Sequence, residues 1–218
     1  MAPESGSDRG FDGTSHYFDD NPATPSRPGI VRLQLPDGEF RLHTDRGVFS
    51  ADRVDTGTKS LLVETSPVLR GPTPLPDGDL VDLGAGYGPI TVALAHRHPS
   101  RRIWAVEPNE RARELCRANV DANCPDARVS IVAPEEVPPD LIAAAIFSNP
   151  PIRIGKPALH SMLLQWLGML APEGTAWLVV QRHLGSDSLA RWIASNGYVV
   201  ERVASRKGYR ILSVRSPH

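Results

Sequence analysis

Three glycines at alternate positions, Gly84, Gly86 and Gly88, follow the short apolar run Leu80-Val81-Asp82-Leu83 and lead straight into a helical pattern over Ile90–His96. No other stretch of the chain restricts its fold as tightly. A backbone without Cβ atoms can approach a bound molecule closely, and a helix starting there aims its unpaired N–H groups at the same spot. Strand, glycine turn and helix in that order open the βαβ units of nucleotide-binding α/β sheets. The dinucleotide fingerprint G-x-G-x-x-G is broken, because its third glycine falls on Pro89. Taken alone, the segment is either a ligand-binding loop or a tight strand-to-helix turn.

The pattern around it is that of an α/β chain. Apolar runs at Leu80–Leu83, Ile103–Val106, Ala127–Val132 and Leu141–Phe147 alternate with helical patterns at Ile90–His96 and Glu110–Asn123. A helix over Pro157–Leu170, a strand over Thr175–Val180, a helix over Ser188–Asn196 and strands over Tyr198–Val203 and Ile211–Val214 complete the series. Near-continuous apolar strands separated by helices predict a mostly parallel sheet covered on both faces. Ahead of it, Ile30–Leu35 and Glu39–Thr44 alternate around Pro36-Asp37-Gly38, a hairpin signal. The segment TGTKSLLVE reads as a short helix, and Pro67–Gly78, with four prolines, as a linker. The expected organisation is a disordered tail (1–15), an N-terminal extension of hairpin, short helix and linker (16–78), and the main α/β domain (79–218). His16-Tyr17-Phe18 is an aromatic cluster able to dock on the body.

Composition excludes several classes. No apolar run approaches the ~18 residues of a membrane span, and the start MAPESGSDRG lacks a signal core. A cytoplasmic protein is expected, with a monomer as its simplest state. Cys116 and Cys124 form no disulfide framework and have no histidine pair at zinc spacing, so no metal is expected. Residues 1–152 carry 15 Lys and Arg against 22 Asp and Glu, whereas residues 153–218 carry 9 against 3. Either the basic third meets an anionic partner, nucleic acid first, or the charge is scattered and solvated.

Glu107 follows the next strand, about 20 residues past the glycines, where a carboxylate can accept hydrogen bonds from both hydroxyls of a ribose. Alternatively it caps the helix that follows. After the third strand, Ala133-Pro134-Glu135 is the segment expected to border an adenine. Asn149-Pro150-Pro151-Ile152 comes directly after the fourth strand, at the end where open α/β sheets bind ligands. Two prolines hold the chain extended and donate no backbone hydrogen bond. The Asn149 side-chain oxygen and the Pro150 carbonyl could grip the two hydrogens of a planar NH2 group and aim its delocalised nitrogen. Catalysis would then be mainly positioning, which can supply ~7–11 kcal/mol. The other reading of this tetrapeptide is a rigid Pro-Pro turn.

These motifs carry a resemblance. Asp82 with G-x-G-x-G is similar to the first motif of class I S-adenosylmethionine methyltransferases. Asn149-Pro150-Pro151-Ile152-Arg153, then Gly155-Lys156 and His160, resembles the "methyltransferase small" family, in its short single-domain bacterial form related to RsmC-type ribosomal RNA guanine-N2 methyltransferases. Gly47-Val48-Phe49-Ser50 with Asp55-x-Gly57-Thr58, and Lys207-Gly208-Tyr209-Arg210, resemble segments of the same family, so the likeness runs over residues 16–215. It implies a Rossmann-like methyltransferase sheet, mostly parallel with an antiparallel last strand, using S-adenosylmethionine to methylate guanine N2 in 16S ribosomal RNA. Asn149, Pro150, Pro151 and Ile152 would then be catalytic. Asp82, Gly84, Ala85, Gly86, Gly88, Glu107, Pro108, Thr58, Glu135 and Asn149 would bind the cofactor, with Asp55 near its methionine end. Arg153 and Lys156 would contact RNA phosphate or stack on a base, or else cap the helix after them. Tyr87 and His160 fit site and packing roles equally. Protein glutamine-N5 methylation, a non-catalytic cofactor- or RNA-binding module and NAD chemistry are the competing readings. Ile152 in place of an aromatic, the intact Asn-Pro-Pro and Pro89 count against them in turn.

Overall fold

Strand β3 (Asp79–Leu83) is an inner strand of a seven-stranded sheet, and the glycine turn at its end feeds helix α2 (Pro89–Arg97). The computed structural model describes residues 25–67, 71 and 74–217. The expected tail, the His16-Tyr17-Phe18 cluster and part of the Pro67–Gly78 linker lie outside the described residues. After α2 come β4 (Ile103–Val106), α3 (Glu110–Asn123), β5 (Val129–Val132), β6 (Ala143–Ser148), α4 (Lys156–Leu167), β7 (Leu170–Gln181), α5 (Ser186–Ser195), β8 (Val199–Arg206) and β9 (Tyr209–Arg215). Across the sheet the order is β5-β4-β3-β6-β7-β9-β8. The last strand slots between β7 and β8 and runs antiparallel to both, while the strands from β5 to β7 pair in parallel. The mostly parallel α/β sheet with an antiparallel last strand is the architecture expected.

Alternation along the strands divides the apolar residues between two layers. Leu80, Ala105, Phe147 and Ile211 join α2, α3 and Leu61 and Leu62 in one core; Val81, Leu83, Ile146 and Leu212 join Leu163, Trp166 and Ile193 of α4 and α5 in the other. The hairpin of β1 (Gly29–Leu35) and β2 (Gly38–Thr44) adds Val31, Leu33, Phe40 and Leu42 to the first core. Helix α1 (Thr56–Glu64) packs there as well. Polar ties fix the hairpin. Asn119 accepts from the His43 N–H at 2.6 Å and donates to the His43 carbonyl at 2.9 Å. Asp37, in the hairpin turn, takes two hydrogen bonds from the guanidinium of Arg97, at 2.6 and 3.0 Å. Burial pushes the Asp37 carboxyl up, but the Arg97 bonds and charge outweigh it and hold it below the usual range.

Several boundaries differ from the sequence expectation. Helix α4 ends at Leu167, and Leu170 begins β7 instead of closing the helix. The Gly168 N–H closes on the Leu164 carbonyl at 3.1 Å, and Ala143 of β6 then binds the Met169 carbonyl at 2.8 Å, which draws the chain into the sheet. Strand β8 extends to Arg206 because the hairpin partner β9 pairs with it along its length.

Candidate active site

The strand order reverses between β3 and β6, and that switch point is where open α/β sheets bind ligands. The parallel register pairs Leu83 with Ser148. The residues just beyond, Gly84 and Asn149, are therefore neighbours although 65 positions separate each paired residue from its partner. Ser148 strengthens the junction: its buried hydroxyl donates to the Leu83 carbonyl at 2.7 Å. Gly84 and Ala85 both donate to the Val106 carbonyl, at 2.9 and 3.0 Å, which ties the loop to the end of β4.

The three glycines serve two purposes. All have positive φ, at 78, 56 and 90° for Gly84, Gly86 and Gly88. A Cβ on Gly84 or Gly86 would meet nothing within 4 Å, so their bare faces border open space. A Cβ on Gly88 would lie 2.6 Å from the Cys116 Sγ, so this glycine permits the close approach of α2 and α3. Pro89 follows as the first residue of α2, where its missing N–H is not needed.

Glu107 is nearly buried, and its two carboxylate oxygens accept from the Gly86 and Asn109 N–H groups at 2.8 and 3.0 Å. The carboxylate thus faces the loop while steadying Asn109, whose side chain caps α3 through the Ala112 N–H at 2.9 Å. Each oxygen keeps a further lone pair for a ligand hydroxyl. Burial pushes the Glu107 carboxyl up, against those bonds and the nearby Arg113 charge. Pro108 is half-buried beside it and its carbonyl accepts from Arg113.

Asp82 has no exposed surface and accepts from the Thr91 hydroxyl at 2.6 Å. Its other oxygen is buried without a partner among the described residues. Burial pushes its carboxyl up to about 7, with the Glu107 charge adding to the rise. Asp82 therefore supports the loop from behind, tying the end of β3 to α2 through Thr91. Glu135 is exposed in a single 3-10 turn, Pro134–Glu136, and it is Glu136 that folds back on the Ala133 N–H at 2.6 Å.

Asn149 is half-buried, and its NH2 group donates to Asp55 Oδ2 at 3.0 Å and Thr58 Oγ1 at 3.1 Å. Its Oδ1 is engaged by no hydrogen bond among the described residues. Asp55 also caps α1, accepting the Thr58 N–H at 3.0 Å, and its second oxygen accepts from the Tyr209 hydroxyl at 3.3 Å. Gly57 explains itself here: a Cβ would stand 2.6 Å from the Tyr209 ring. Burial and the Asp55 carboxylate push the Tyr209 phenol up. Tyr87 is buried in the glycine loop with its hydroxyl donating to the Ser50 carbonyl at 3.4 Å. The sequence reading missed Ser148 and Asn119 altogether, and it quoted Tyr209 only as part of a closing strand.

The Asn-Pro-Pro turn differs from the extended clamp expected. Pro151 has φ −75° and ψ 75°, and the Ile152 N–H donates to the Pro150 carbonyl at 2.8 Å, which is an inverse γ-turn. The Pro150 carbonyl thus already has one partner and keeps one lone pair. Ile152 and Ile154 pack on the second core, while Arg153 and Lys156 are exposed. Lys156 opens α4, whose first turn holds no acidic residue and whose Gly155 cap offers no side-chain acceptor. A cation is unfavourable at that end of a helix dipole, so capping does not account for Lys156. His160 stacks on Trp192 with ring centroids 3.6 Å apart, joining α4 to α5. Among the described residues no group of three His, Cys, Asp or Glu is placed to hold a metal ion, and no helix is long and apolar enough to cross a membrane.

The family model of the methyltransferase small domain matches residues 39–213, from within the second hairpin strand to within β9. The chain belongs to the methyltransferase small family. A relative from Bacillus subtilis (strain 168), uncharacterized protein YbxB, is 31% identical over 210 residues, covering 93% of this chain and 98% of its own. A ribosomal RNA small subunit methyltransferase C from Pseudomonas aeruginosa (strain LESB58) is 31% identical over 216 residues, 89% of this chain and 57% of that protein. The chain spans about half the length of the methyltransferase C relatives it matches. Among solved structures, a 16S rRNA N2-guanine methyltransferase (RsmC) of T. thermophilus in complex with AdoMet and guanosine shares the fold, with TM-score 0.73 and 22% identity over 89% of this chain and 52% of that one. Family membership makes the chain a methyltransferase with a Rossmann-like sheet.

Proposed function

We propose that this chain transfers a methyl group from S-adenosylmethionine to the exocyclic N2 of a guanine in 16S ribosomal RNA. The observation that carries the reading is Asn149, held at the switch point beside the glycine loop by its NH2 group, with Oδ1 left as an acceptor. The loop fits the cofactor: Gly84 and Gly86 leave a cradle that a Cβ would fill, and Glu107 is aimed at it through the Gly86 N–H. Gly84, Ala85 and Gly86 would hold the cofactor's amino-acid part with Thr58 near it. Glu107 and Pro108 would hold its ribose, and the Pro134–Glu136 turn would border its base. When bound, S-adenosylmethionine supplies an electrophilic methyl group on a positively charged sulfur. The protein's own contribution is to place the nitrogen. Asn149 Oδ1 accepts one N–H of the guanine amine and the free lone pair of the Pro150 carbonyl accepts the other, turning the lone pair of the nitrogen towards the methyl group. No strong base is required, because those N–H groups acidify as the nitrogen gains the methyl group, and one proton then passes to solvent. Exposed Arg153 and Lys156 meet phosphate, and the RsmC-type relatives support ribosomal RNA as the substrate class. A cytoplasmic location goes with that substrate.

Labelled-methyl transfer, run in parallel on naked 16S RNA, 30S subunits, tRNA and release factor, tests this. Label on a 16S guanine, abolished in Asn149→Ala with cofactor binding kept, is the expected outcome. Label on a release-factor glutamine, or no transfer to any substrate, would overturn it. Arg153→Glu with Lys156→Glu should weaken RNA binding without weakening cofactor binding.

A further inference from the structure

The two ends of an asparagine amide have nearly the same shape but opposite hydrogen-bonding character. A clamp on an NH2 group works only if the oxygen end faces the substrate; turned over, Asn149 would set one NH2 against another. Something must choose the orientation, and among the described residues the partners of the Asn149 amide are Asp55 and Thr58, not the backbone of the Pro150–Ile152 turn.

We propose that Asp55 is the positioning residue that fixes which end of the Asn149 amide faces the acceptor nitrogen. The proposal rests on the role given to Asn149 above. A carboxylate oxygen can only accept, so Asp55 Oδ2, 3.0 Å from Asn149 Nδ2, admits the NH2 end and rejects Oδ1. Thr58 Oγ1 accepts the same group at 3.1 Å, but a hydroxyl can donate as readily as accept and so does not discriminate. Asp55 is itself held from two sides. Oδ2 is drawn to the Thr58 N–H as the cap of α1, and Oδ1 receives the Tyr209 hydroxyl. The Tyr209 ring rests where only glycine fits, at Gly57. Residues 94 and 154 positions from Asp55 thus converge on its one carboxylate.

Two substitutions separate this role from helix capping. Asp55→Ser keeps an N-cap oxygen for Thr58 but is too short to reach Asn149. Asp55→Asn keeps both the cap and an oxygen at the Oδ2 position, because turning its own amide over would set NH2 against the Thr58 N–H. Both variants should melt near the wild-type temperature. Asp55→Asn should retain kcat within about 3-fold, whereas Asp55→Ser should lose on the order of 10- to 100-fold in kcat, the scale of a misplaced reacting group, with KM for RNA and cofactor nearly unchanged. An activity-independent readout runs beside it. In protein labelled with 15N-asparagine, the Asn149 NH2 signals, identified by their absence in Asn149→Ala, should be shifted and protected in wild type and Asp55→Asn. In Asp55→Ser, with Thr58 Oγ1 as the remaining acceptor, they should move towards those of a free amide and lose protection. Wild-type kcat in Asp55→Ser, a loss confined to KM for S-adenosylmethionine, or Asn149 signals unmoved by Asp55→Ser would each overturn the proposal. Failure of the wild type to methylate any RNA would instead sink the substrate reading, leaving the amide signals to decide this one.

Discussion

Replacing Gly88 and Gly86 by alanine, one at a time, separates the two purposes assigned to the glycine loop. At Gly88 the φ of 90° lies in the left-handed region, where a Cβ costs about 1–2 kcal/mol. The same Cβ would stand 2.6 Å from Cys116 Sγ, and overpacking of that kind costs about 1–3 kcal/mol more. The sum, about 2–5 kcal/mol, corresponds to a fall in Tm of roughly 4–20 °C for a chain of this size. Gly86→Ala, with φ 56° and no atom within 4 Å of the added Cβ, should lose only about 1–2 kcal/mol. Its methyl group would instead project into the cradle and block the cofactor. Urea unfolding and calorimetric titration with S-adenosylmethionine, run on both variants, therefore give opposite profiles: Gly88→Ala mainly unstable, Gly86→Ala mainly unable to bind. Adding Cys116→Ala to Gly88→Ala removes the Sγ clash but not the backbone strain, so it should recover part of the loss, as a positive coupling in a double-mutant cycle. Equal stability losses in the two single variants, or no coupling with Cys116, would refute the assignment.

Other expectations are simpler to state. Asp82, pushed up to about 7 by burial, gives wild-type stability that is fullest below the ordinary carboxyl pKa near 4 and is lost as pH rises through about 7, by roughly 4 kcal/mol at most. Asp82→Asn should flatten that decline in urea unfolding between pH 5 and 8, and parallel curves for the two proteins would count against it. Glu107→Ala should weaken S-adenosylmethionine binding on the order of 10- to 100-fold, the worth of one or two charged hydrogen bonds; an unchanged Kd would remove the ribose assignment. Arg97→Ala strips Asp37 of its partner and should cost about 3 kcal/mol in thermal unfolding, whereas a loss below half of that would mean apolar contacts alone hold the hairpin.

The fold was legible wherever its cause is local. Apolar runs, the Pro36-Asp37-Gly38 turn and the nine residues of α1 can be read from spacing and turn chemistry. The glycine loop and Asn149 were legible as separate motifs, but the sheet order that makes them neighbours was not, because strand pairing joins positions far apart in the chain. The rest depends on contacts between distant positions. Nothing in Asn149 or Asp55 alone shows that one selects the orientation of the other, because the link crosses 94 residues. The γ-turn at Pro151 was missed for a different reason. Proline fixes φ and leaves ψ to its surroundings, and ψ decides whether the Pro150 carbonyl meets the Ile152 N–H.

Tyr209 reaches Asp55 only because β9 inserts between β7 and β8. A chain emerging from the ribosome at ~5–20 residues per second presents Asp55 and α1 first, then the loop, then Asn149, and this tyrosine after all of them. A nascent polypeptide halted before β9 could display every glycine and both prolines while the carboxylate that steadies Asn149 still lacked its second anchor. The Tyr209 hydroxyl thus ties the strand that enters the sheet last to the carboxylate that holds Asn149.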